Sequence, residues 1–369
     1  MHKQGTGKGL FCGGLVSLLV LLSACQPPAP EPYRWAIPDG FPLPLVPEDN
    51  PMSADKVALG EKLFFDVALS FNQSQSCATC HQPQFAFAEP RKVSVGASGQ
   101  VLRRNAQALV NVAYNPNLTW AHNGLTRIEQ QILIPMFAED PIELGITGHE
   151  SEVLARFQRG AYPGLFQQAF NTREASFDLI VKALASYVRS LVSFNSRFDL
   201  YAYKGQDDAL NAEEKRGMEL FFSEQLECFH CHGGVNFTQS SQHQHQRLDL
   251  RPFHNTGLYN EDGKGAYPAE DPGLIEISLQ AQDMGKFRAP TLRNVANSAP
   301  YMHDGSIETL SQVIDFYAQG GRGAGINSPL KDVFVQGFSI SDEDKKALIA
   351  FLHSLSDADF LAQQGNRAK

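Results

Sequence analysis

Cys77-Ala78-Thr79-Cys80-His81 and Cys228-Phe229-His230-Cys231-His232 are two copies of one pattern, C-x-x-C-H, and they decide the fold. In this pattern two thiols add to the vinyl groups of one porphyrin, and the following imidazole becomes a ligand to its iron. The sequence therefore predicts two covalent c-type haems. Zinc is the alternative, but the chain offers too few further paired ligands at zinc spacings. The predicted attachment residues are Cys77, Cys80 and His81 for the first haem and Cys228, Cys231 and His232 for the second.

The two cysteines outside these motifs both lie within the first 25 residues, so no disulfide framework is available. A basic start, an apolar stretch over 10–22 and the box Leu22-Ser23-Ala24-Cys25 are typical of a bacterial lipoprotein leader. We therefore expect a signal peptide over 1–24, lipidation of Cys25 and a periplasmic, membrane-anchored protein. The alternative is an ordinary secretory signal that is cut near Ala24. In either case the chain is exported.

The charge of the chain is acidic, with 31 Lys and Arg residues against 40 Asp and Glu residues and a formal net charge of −9. Such a balance argues against nucleic acid as a partner and weakly favours a basic or mixed-charge protein.

Internal repetition indicates the architecture. Residues 59–65 (LGEKLFF) precede the first haem motif as 216–222 (RGMELFF) precede the second, and 109–113 (LVNVA) match 292–296 (LRNVA). Leu and Phe stand at helical spacing in the first pair, after a predicted Asp or Asn start signal. We expect a mostly α fold made of two cytochrome c-like helical domains, related by a pseudo-two-fold duplication, each with one haem.

The predicted domain boundaries follow from this repeat and from the local composition. A Pro-rich, extended tether is expected over 25–50, and 177–194 has the period of a helix between the halves. The charged segment 204–208 is the expected boundary between the halves. The sequence thus predicts an N-terminal domain over 51–203, a C-terminal domain over 204–360 and a tail over 361–369.

The ligand on the far side of each iron decides what a haem protein does. In the second half the candidates are Met284, Met302, His303 and Tyr317, each of which also suits simple packing. The histidines 243, 245 and 254 are expected at the surface.

The repeat aligns Tyr317 with Pro135 in the first half, and proline cannot bind iron. The first haem is therefore the candidate for an open sixth position. Met136, one residue further on, is the alternative that would close it.

Beyond these motifs the chain resembles the bacterial di-haem cytochrome c peroxidases and their MauG relatives. The resemblance covers about residues 50–355 and rests on both haem motifs, on 287–295 (FRAPTLRNV) and on 299–305 (APYMHDG). Segments 117–121 and 134–145 are most similar to the MauG-like (MbnH-like) branch.

The resemblance implies two departures from the peroxidases. Ala97 stands where they carry a histidine that caps the peroxidatic iron, so the cap is expected to be missing. Tyr317 stands where they carry a methionine ligand on the second haem, as in MauG. A phenolate is a harder, anionic donor, so it should stabilise oxidised iron and lower the potential of that haem.

The resemblance also implies a catalytic set at the open iron. Glu143 is expected as the acid and base that moves a proton on peroxide, with Gln131 as its polar neighbour. Burial beside the haem should raise the pKa of Glu143. His122 is a weaker competitor for this role.

Three further roles are implied between the haems. Trp120 is expected to relay electrons or holes, or else to be a large core anchor. His303 is expected near haem and Trp120 without binding iron. Asn105, with the backbone carbonyls of Arg288 and Pro290, matches the family's calcium site, although Asn105 also suits a helix cap.

These features favour an exported oxidoreductase that reacts with hydrogen peroxide at the first haem. Its reductant would be either a small electron-transfer protein, which gives peroxide detoxification, or Trp or Tyr side chains of a partner protein, as in MauG and MbnH. The missing cap and Tyr317 favour the second. The alternative of another class is a non-enzymatic di-haem electron carrier.

Overall fold

Helices make up the regular secondary structure of the protein. The computed structural model describes residues 33–246, 248 and 250–367. Within them the extended segments pair only as isolated bridges, such as Val95 with Val101. The prediction of a mostly helical, cytochrome c-like fold is confirmed. The α-helices are α1 Ala54–Phe65, α2 Cys77–Cys80, α3 Ile128–Phe137, α4 Glu150–Arg156, α5 Tyr162–Phe170, α6 Phe177–Ser190, α7 Arg197–Lys204, α8 Ala212–Phe221, α9 Cys228–His232, α10 Ile275–Ser278, α11 Leu310–Ala318, α12 Asp342–Ser354 and α13 Ala358–Arg367.

A glycine allows the main helix pair of each half to cross closely. In the first half α1 crosses α6, and a Cβ at Gly60 would lie 2.0 Å from the carbonyl oxygen of Ala183. In the second half α8 crosses α12, and a Cβ at Gly217 would lie 1.9 Å from the carbonyl oxygen of Ala347. No other residue fits such a contact without moving the backbone. The sequence repeat is therefore a repeat of packing.

The two helices that precede the haem motifs begin at different caps. Asn211 caps α8 in a reciprocal capping box with Glu214, as the Asn start signal predicts. The cap of α1 is Ser53, whose hydroxyl accepts a hydrogen bond from the backbone N–H of Lys56 at 3.2 Å. The predicted Asp or Asn signal is thus wrong for the first helix.

Two buried asparagines repeat the same turn. Asn111 and Asn294 both lie in the left-handed region, with φ of 59°. The side-chain oxygen of Asn111 accepts from the backbone N–H of Ser193, and that of Asn294 accepts from the backbone N–H of Asp357, each at 2.8 Å. Because Asn111 holds the chain directly after α6, that helix ends at Ser190, four residues before the predicted end.

The hydrophobic side chains form two main cores that follow the two halves. Residues from Leu59 to Leu191 form the first, and residues from Phe198 to Leu355 form the second. Helix α13 returns to the first half, where Phe360 packs 6.2 Å from the ring of Phe87. The described residues, from 33 onward, form one compact unit, and the domain boundary at 203/204 stays a prediction.

The N-terminal segment is packed where the structure describes it. The rings of Phe41 and Phe194 lie 4.8 Å apart, and Trp35 packs in the same cluster. Asn50 is fully buried and donates to Glu129 at 2.8 Å. The segment predicted as a tether therefore does not run free over 35–50. The predicted leader and Cys25 lie outside the described residues.

None of the helices in the described ranges combines the length and apolar character needed to cross a membrane.

Candidate functional site

The two motif histidines are held by the same pattern of hydrogen bonds. His81 Nδ1 lies 2.8 Å from the carbonyl oxygen of Phe87 and 3.1 Å from that of Gln107. His232 Nδ1 lies 3.1 Å from the carbonyl oxygen of Pro290 and 3.4 Å from that of Phe237. A carbonyl only accepts, so each Nδ1 carries the proton and each Nε2 keeps its lone pair for a metal.

The electrostatics of both imidazoles suit a metal ligand. Burial lowers the pKa of His81, and it lowers the pKa of His232 to about 4. Both rings are therefore neutral near pH 7, the form that binds iron.

The thiols of each motif lie on one turn of a short helix. Cys77 and Cys80 bound α2, and Cys228 and Cys231 lie on α9 with the histidine directly after each pair. All four are free thiols. Burial raises the pKa of Cys77 and of Cys228 to about 12, so both stay protonated near neutral pH.

The second motif opens onto a large, mostly apolar cavity. Cys228, Cys231 and His232 line it together with Trp120 and Tyr317. Free thiols, an imidazole with a free Nε2 and an apolar cavity fit a covalently bound haem. Zinc does not fit, because the one close group of metal-binding side chains found among the described residues, Glu224, Glu227 and His230, contains none of the motif cysteines.

Three of the predicted sixth-ligand candidates line this cavity, namely Met302, His303 and Tyr317. Met284 is not among the lining residues and packs with Tyr267 and neighbouring apolar side chains. Burial raises the pKa of Tyr317, which lines the cavity together with Cys228 and Cys231. The ligand role of Tyr317 stays a prediction.

His254 lies in this cavity, so its predicted place at the surface is wrong. Its Nδ1 lies 2.6 Å from a carboxylate oxygen of Asp332, and its Nε2 is buried without a hydrogen-bond partner. Burial lowers the pKa of His254, but Asp332 and the Cys231 thiol outweigh it and raise the pKa to about 9. No motif in the sequence marks this pair, since the two residues are 78 positions apart. His245 is exposed, as expected, and His243 is half-buried.

Glu143 is half-buried in the first half. The backbone N–H of Leu144 donates to the carbonyl of Pro135 at 2.9 Å, which holds the loop against the end of α3. Burial raises the pKa of Glu143 to about 7. Its charge also raises the pKa of both Cys77 and Cys80. A group with this pKa can both take and return a proton near neutral pH.

Ala97 lies beside Glu143. The backbone N–H of Ala97 donates to the carbonyl of Glu143 at 2.7 Å. The two segments that carry Ala97 and Glu143 approach closely, since a Cβ at Gly96 would lie 1.9 Å from the carbonyl oxygen of Ile142. The segment in which the resemblance expects a capping histidine is therefore packed against the expected acid and base, and it carries a methyl group.

The other residues predicted around Glu143 have different surroundings. Gln131 lies on α3 with its side-chain oxygen buried and unpaired, and no hydrogen bond within the described chain joins it to Glu143. Met136 is 1% exposed and belongs to the first core. His122 Nδ1 accepts from the backbone N–H groups of Gly124 and Leu125 at 3.0 and 3.1 Å, so it stabilises a turn. Taking up a proton at Nδ1 would break both bonds.

Trp120 links the two halves of the chain. Its Nε1 donates to the carbonyl of Asn105 at 2.9 Å, and its own carbonyl accepts from the backbone N–H of Arg288 at 2.7 Å. The imidazole of His303 lies in the same cavity and stacks on Phe287 at 3.7 Å. Burial lowers the pKa of His303 to about 4, so this ring is neutral.

The predicted calcium donors are all oxygens. Asn105 Nδ2 donates to the carbonyls of Arg91 and Lys92 at 3.0 and 3.3 Å, which fixes the amide and leaves its oxygen free in the part of the chain that the structure describes. The Pro290 carbonyl accepts from His232 and keeps a second lone pair. Calcium takes six to eight oxygen ligands, with carbonyls and waters among them, so these three residues would supply part of its coordination, and no step below depends on this ion.

Comparisons with known proteins agree with this site. The profile of the family described as di-haem cytochrome c peroxidase matches residues 54–208. The cytochrome-c peroxidase IdrP1 of Pseudomonas sp. (strain SCT) is 33% identical over 357 residues, 92% of each chain. The methylamine utilization protein MauG of Methylophilus methylotrophus is 31% identical over 342 residues, also 92% of each.

A solved structure gives a further comparison. The crystal structure of a MauG-like protein associated with microbial copper homeostasis superposes with a TM-score of 0.87 and 42% sequence identity, over 90% of this chain and 98% of that one.

Proposed function

The chain belongs to the di-haem cytochrome c peroxidase family, and on that premise we propose that it uses peroxide to oxidise Trp or Tyr side chains of a partner protein. Membership makes it an oxidoreductase that reacts with peroxide and carries two c-type haems. The observation that carries the finer proposal is Ala97, packed against Glu143 where gated peroxidases are expected to have a capping histidine. A site without that cap needs no reductive activation.

The haems supply the iron that reacts with peroxide and the sites that accept the oxidising charge. Each peroxide takes up two electrons and two protons and leaves as two waters. Glu143 takes a proton from one peroxide oxygen and gives it to the other, which departs as water. With a pKa of about 7, the carboxylate is half ionised under working conditions and suits both steps.

Electrons reach this site from the second half. We assign Trp120 as the relay, because its indole lies in the second cavity and its backbone carbonyl accepts from Arg288 of the second half, while its ring N–H is held by Asn105 of the first half. Tyr317 would hold the second haem together with His232, and its phenolate would stabilise the oxidised state.

The chemistry of the similar proteins points to the partner. The similar solved structure is of a MauG-like protein associated with microbial copper homeostasis, so a copper-handling protein is the substrate class to test first. The formal net charge of −9 favours a partner with basic patches.

A small electron-donor protein is the second candidate, because the relative at 33% identity is named a cytochrome-c peroxidase. In that case the protein would remove peroxide and leave no modified side chain behind.

The proposal also includes export to the periplasm, a lipid on Cys25 and a calcium ion between the haems. The first two rest on the leader sequence. Calcium rests on the resemblance alone.

Low-temperature electron paramagnetic resonance of the ferric protein, before and after one equivalent of peroxide, tests the open site. We expect one high-spin and one low-spin haem whose signals vanish together. Two low-spin haems that do not respond to peroxide would contradict the missing cap.

To separate the two reductants, the peroxide-treated protein is mixed either with a reduced small c-type cytochrome or with a purified copper-handling protein. Mass spectrometry then looks for oxidised Trp or Tyr, and fast turnover with the cytochrome alone would favour the second candidate.

A further inference from the structure

Arg288 carries a buried positive charge without a negative partner. Arg288 is 3% exposed. Nε donates to the carbonyl of Thr119 at 3.1 Å, Nη2 to the side-chain oxygen of Gln107 at 2.7 Å and Nη1 to the carbonyl of Ala289 at 3.4 Å. All three acceptors are uncharged, and none of the ion pairs found among the described residues includes Arg288.

The other buried arginines of the described chain are all paired. Arg156 bonds to Glu152 at 2.7 Å, Arg189 to Glu129 at 2.7 Å and Arg293 to Asp199 at 2.8 Å. These three arginines are 1–9% exposed, as deeply buried as Arg288. A buried charge is costly unless an opposite charge balances it. Arg288 is therefore the exception that calls for an anion from outside the described chain.

Gln107 offers a second donor at the same place. Its side-chain oxygen accepts from Arg288, and its Nε2 is buried without a hydrogen-bond partner. Both residues line the cavity of the second haem motif. A guanidinium and an unpaired amide N–H group are donors only, so the group they bind must be an acceptor, and the charge of Arg288 makes it an anion.

The cavity itself indicates the source of this anion. A c-type haem is fixed through its vinyl groups at one edge and carries two propionate carboxylates at the opposite edge. Arg288 and Gln107 line the same cavity as Cys228 and Cys231, so a haem attached to these thiols would have its propionates within the cavity that the two donors line.

We propose that the Arg288 guanidinium and the Gln107 amide form the binding site for a haem propionate at the seam between the two halves. The proposal rests on haem binding by the family and not on the identity of the protein substrate. Arg288 keeps this carboxylate ionised and compensates its charge.

This position also connects the two proximal histidines. The backbone carbonyl of Gln107 accepts from His81, and Pro290, two residues after Arg288, accepts from His232. Arg288 joins these two segments through its bond to the Gln107 side chain. It is a positioning residue, because it acts through the carboxylate and the two carbonyls without touching iron.

The test is the midpoint potential of each haem as a function of pH, measured by spectroelectrochemistry on the full di-haem protein. In Arg288→Met the propionate loses its partner. We expect a lower potential for the second haem at high pH and a new rise as pH falls, because the carboxylate now takes up a proton on reduction. Arg288→Lys should retain most of the wild-type profile. Arg103→Met is the matched control, since Arg103 is exposed and pairs with Glu276.

A second readout identifies the anion directly. Infrared spectra of protein that carries haem with ¹³C-labelled propionates should show a carboxylate band that shifts in Arg288→Met and in Gln107→Leu. If Arg288→Met does not take up haem, Arg288→Lys and Gln107→Leu still report on the same band. Unchanged bands and potentials in these variants would overturn the proposal.

A soluble anion is the rival source. In that case the wild-type potential would change with chloride or phosphate concentration, the dependence would vanish in Arg288→Met, and the labelled propionate band would stay unchanged. That combination would also overturn the proposal.

Discussion

The backbone N–H of Ala97 donates to the carbonyl of Glu143 at 2.7 Å. This bond joins the position where gated peroxidases of the family are expected to carry a capping imidazole to the residue that we assign as acid and base. The bond joins main-chain atoms, so it fixes the distance between the two positions and permits each side chain to be changed by itself. Burial of the Glu143 carboxyl group in this arrangement raises its pKa to about 7.

Replacing the carboxyl group should slow the reaction with peroxide and leave both haems attached. Glu143→Gln removes a proton acceptor worth about 10²- to 10⁴-fold in rate. Stopped-flow absorbance measures the rate. Glu139→Gln, which changes an exposed acid four residues earlier, is the control. A normal rate in Glu143→Gln would remove this residue from the mechanism.

The same rate should depend on pH in a defined direction. Burial raises the pKa of Glu143 to about 7, so the carboxylate that accepts the proton forms only as the pH rises through this value. The rate should therefore increase between about pH 6 and pH 8 and then level off. Glu143→Gln should lose this step, and a step that persists in the variant would assign it to another group.

Introducing an imidazole at Ala97 should close the first haem. Ala97→His places a ligand where the gated enzymes are expected to have one, so the high-spin signal should convert to low-spin and peroxide should react only after reduction. Electron paramagnetic resonance is the measurement, and Ser98→His, one exposed position further on, is the control. If both variants stay high-spin, the alignment of Ala97 with the cap is wrong.

Changing the phenol should alter only the second haem. Tyr317→Phe should keep both haems attached and change the spectrum of the second, and Tyr317→Met should raise its potential, because a neutral thioether stabilises oxidised iron less than a phenolate does. Spectroelectrochemistry gives both readouts. An unchanged spectrum in Tyr317→Phe would mean that Tyr317 does not bind the iron.

His254 should make stability depend on pH. Without haem its pKa is raised to about 9 from 6.5 by Asp332 and Cys231 together. Haem attachment removes the Cys231 thiolate and leaves Asp332 to raise the pKa above 6.5. The stabilisation is therefore complete below about pH 6.5 and is lost as pH rises through the raised pKa, and we expect it to be about 1–2 kcal/mol. Urea unfolding of wild type and His254→Asn across this range measures it, with the exposed His245→Asn as control. Equal pH dependence in wild type and His254→Asn would exclude this pair.

Much of this molecule could be predicted from the sequence because the decisive features are local. The spacing of two thiols and one imidazole within five residues specifies haem attachment whatever surrounds it. The repeat of Gly60 at Gly217 likewise marks the two helix crossings, since both helices need the same close approach. Glu143 and Tyr317 could be named only through resemblance, because a single acid or phenol has no local pattern of its own.

The sequence by itself thus determined the cofactor class and the helical duplication, which depend on short-range covalent chemistry and helical periodicity, and it indicated the family through the resemblance of its motifs. Only the tertiary structure decided that His254 is buried against Asp332 and not exposed at the surface, that residues 35–50 pack against the helical domains, and that Arg288 is buried beside Gln107. These contacts join residues that are far apart in the chain. Their energies come from burial and from whether a buried charge has an opposite charge beside it, and both are settled only once the chain has folded.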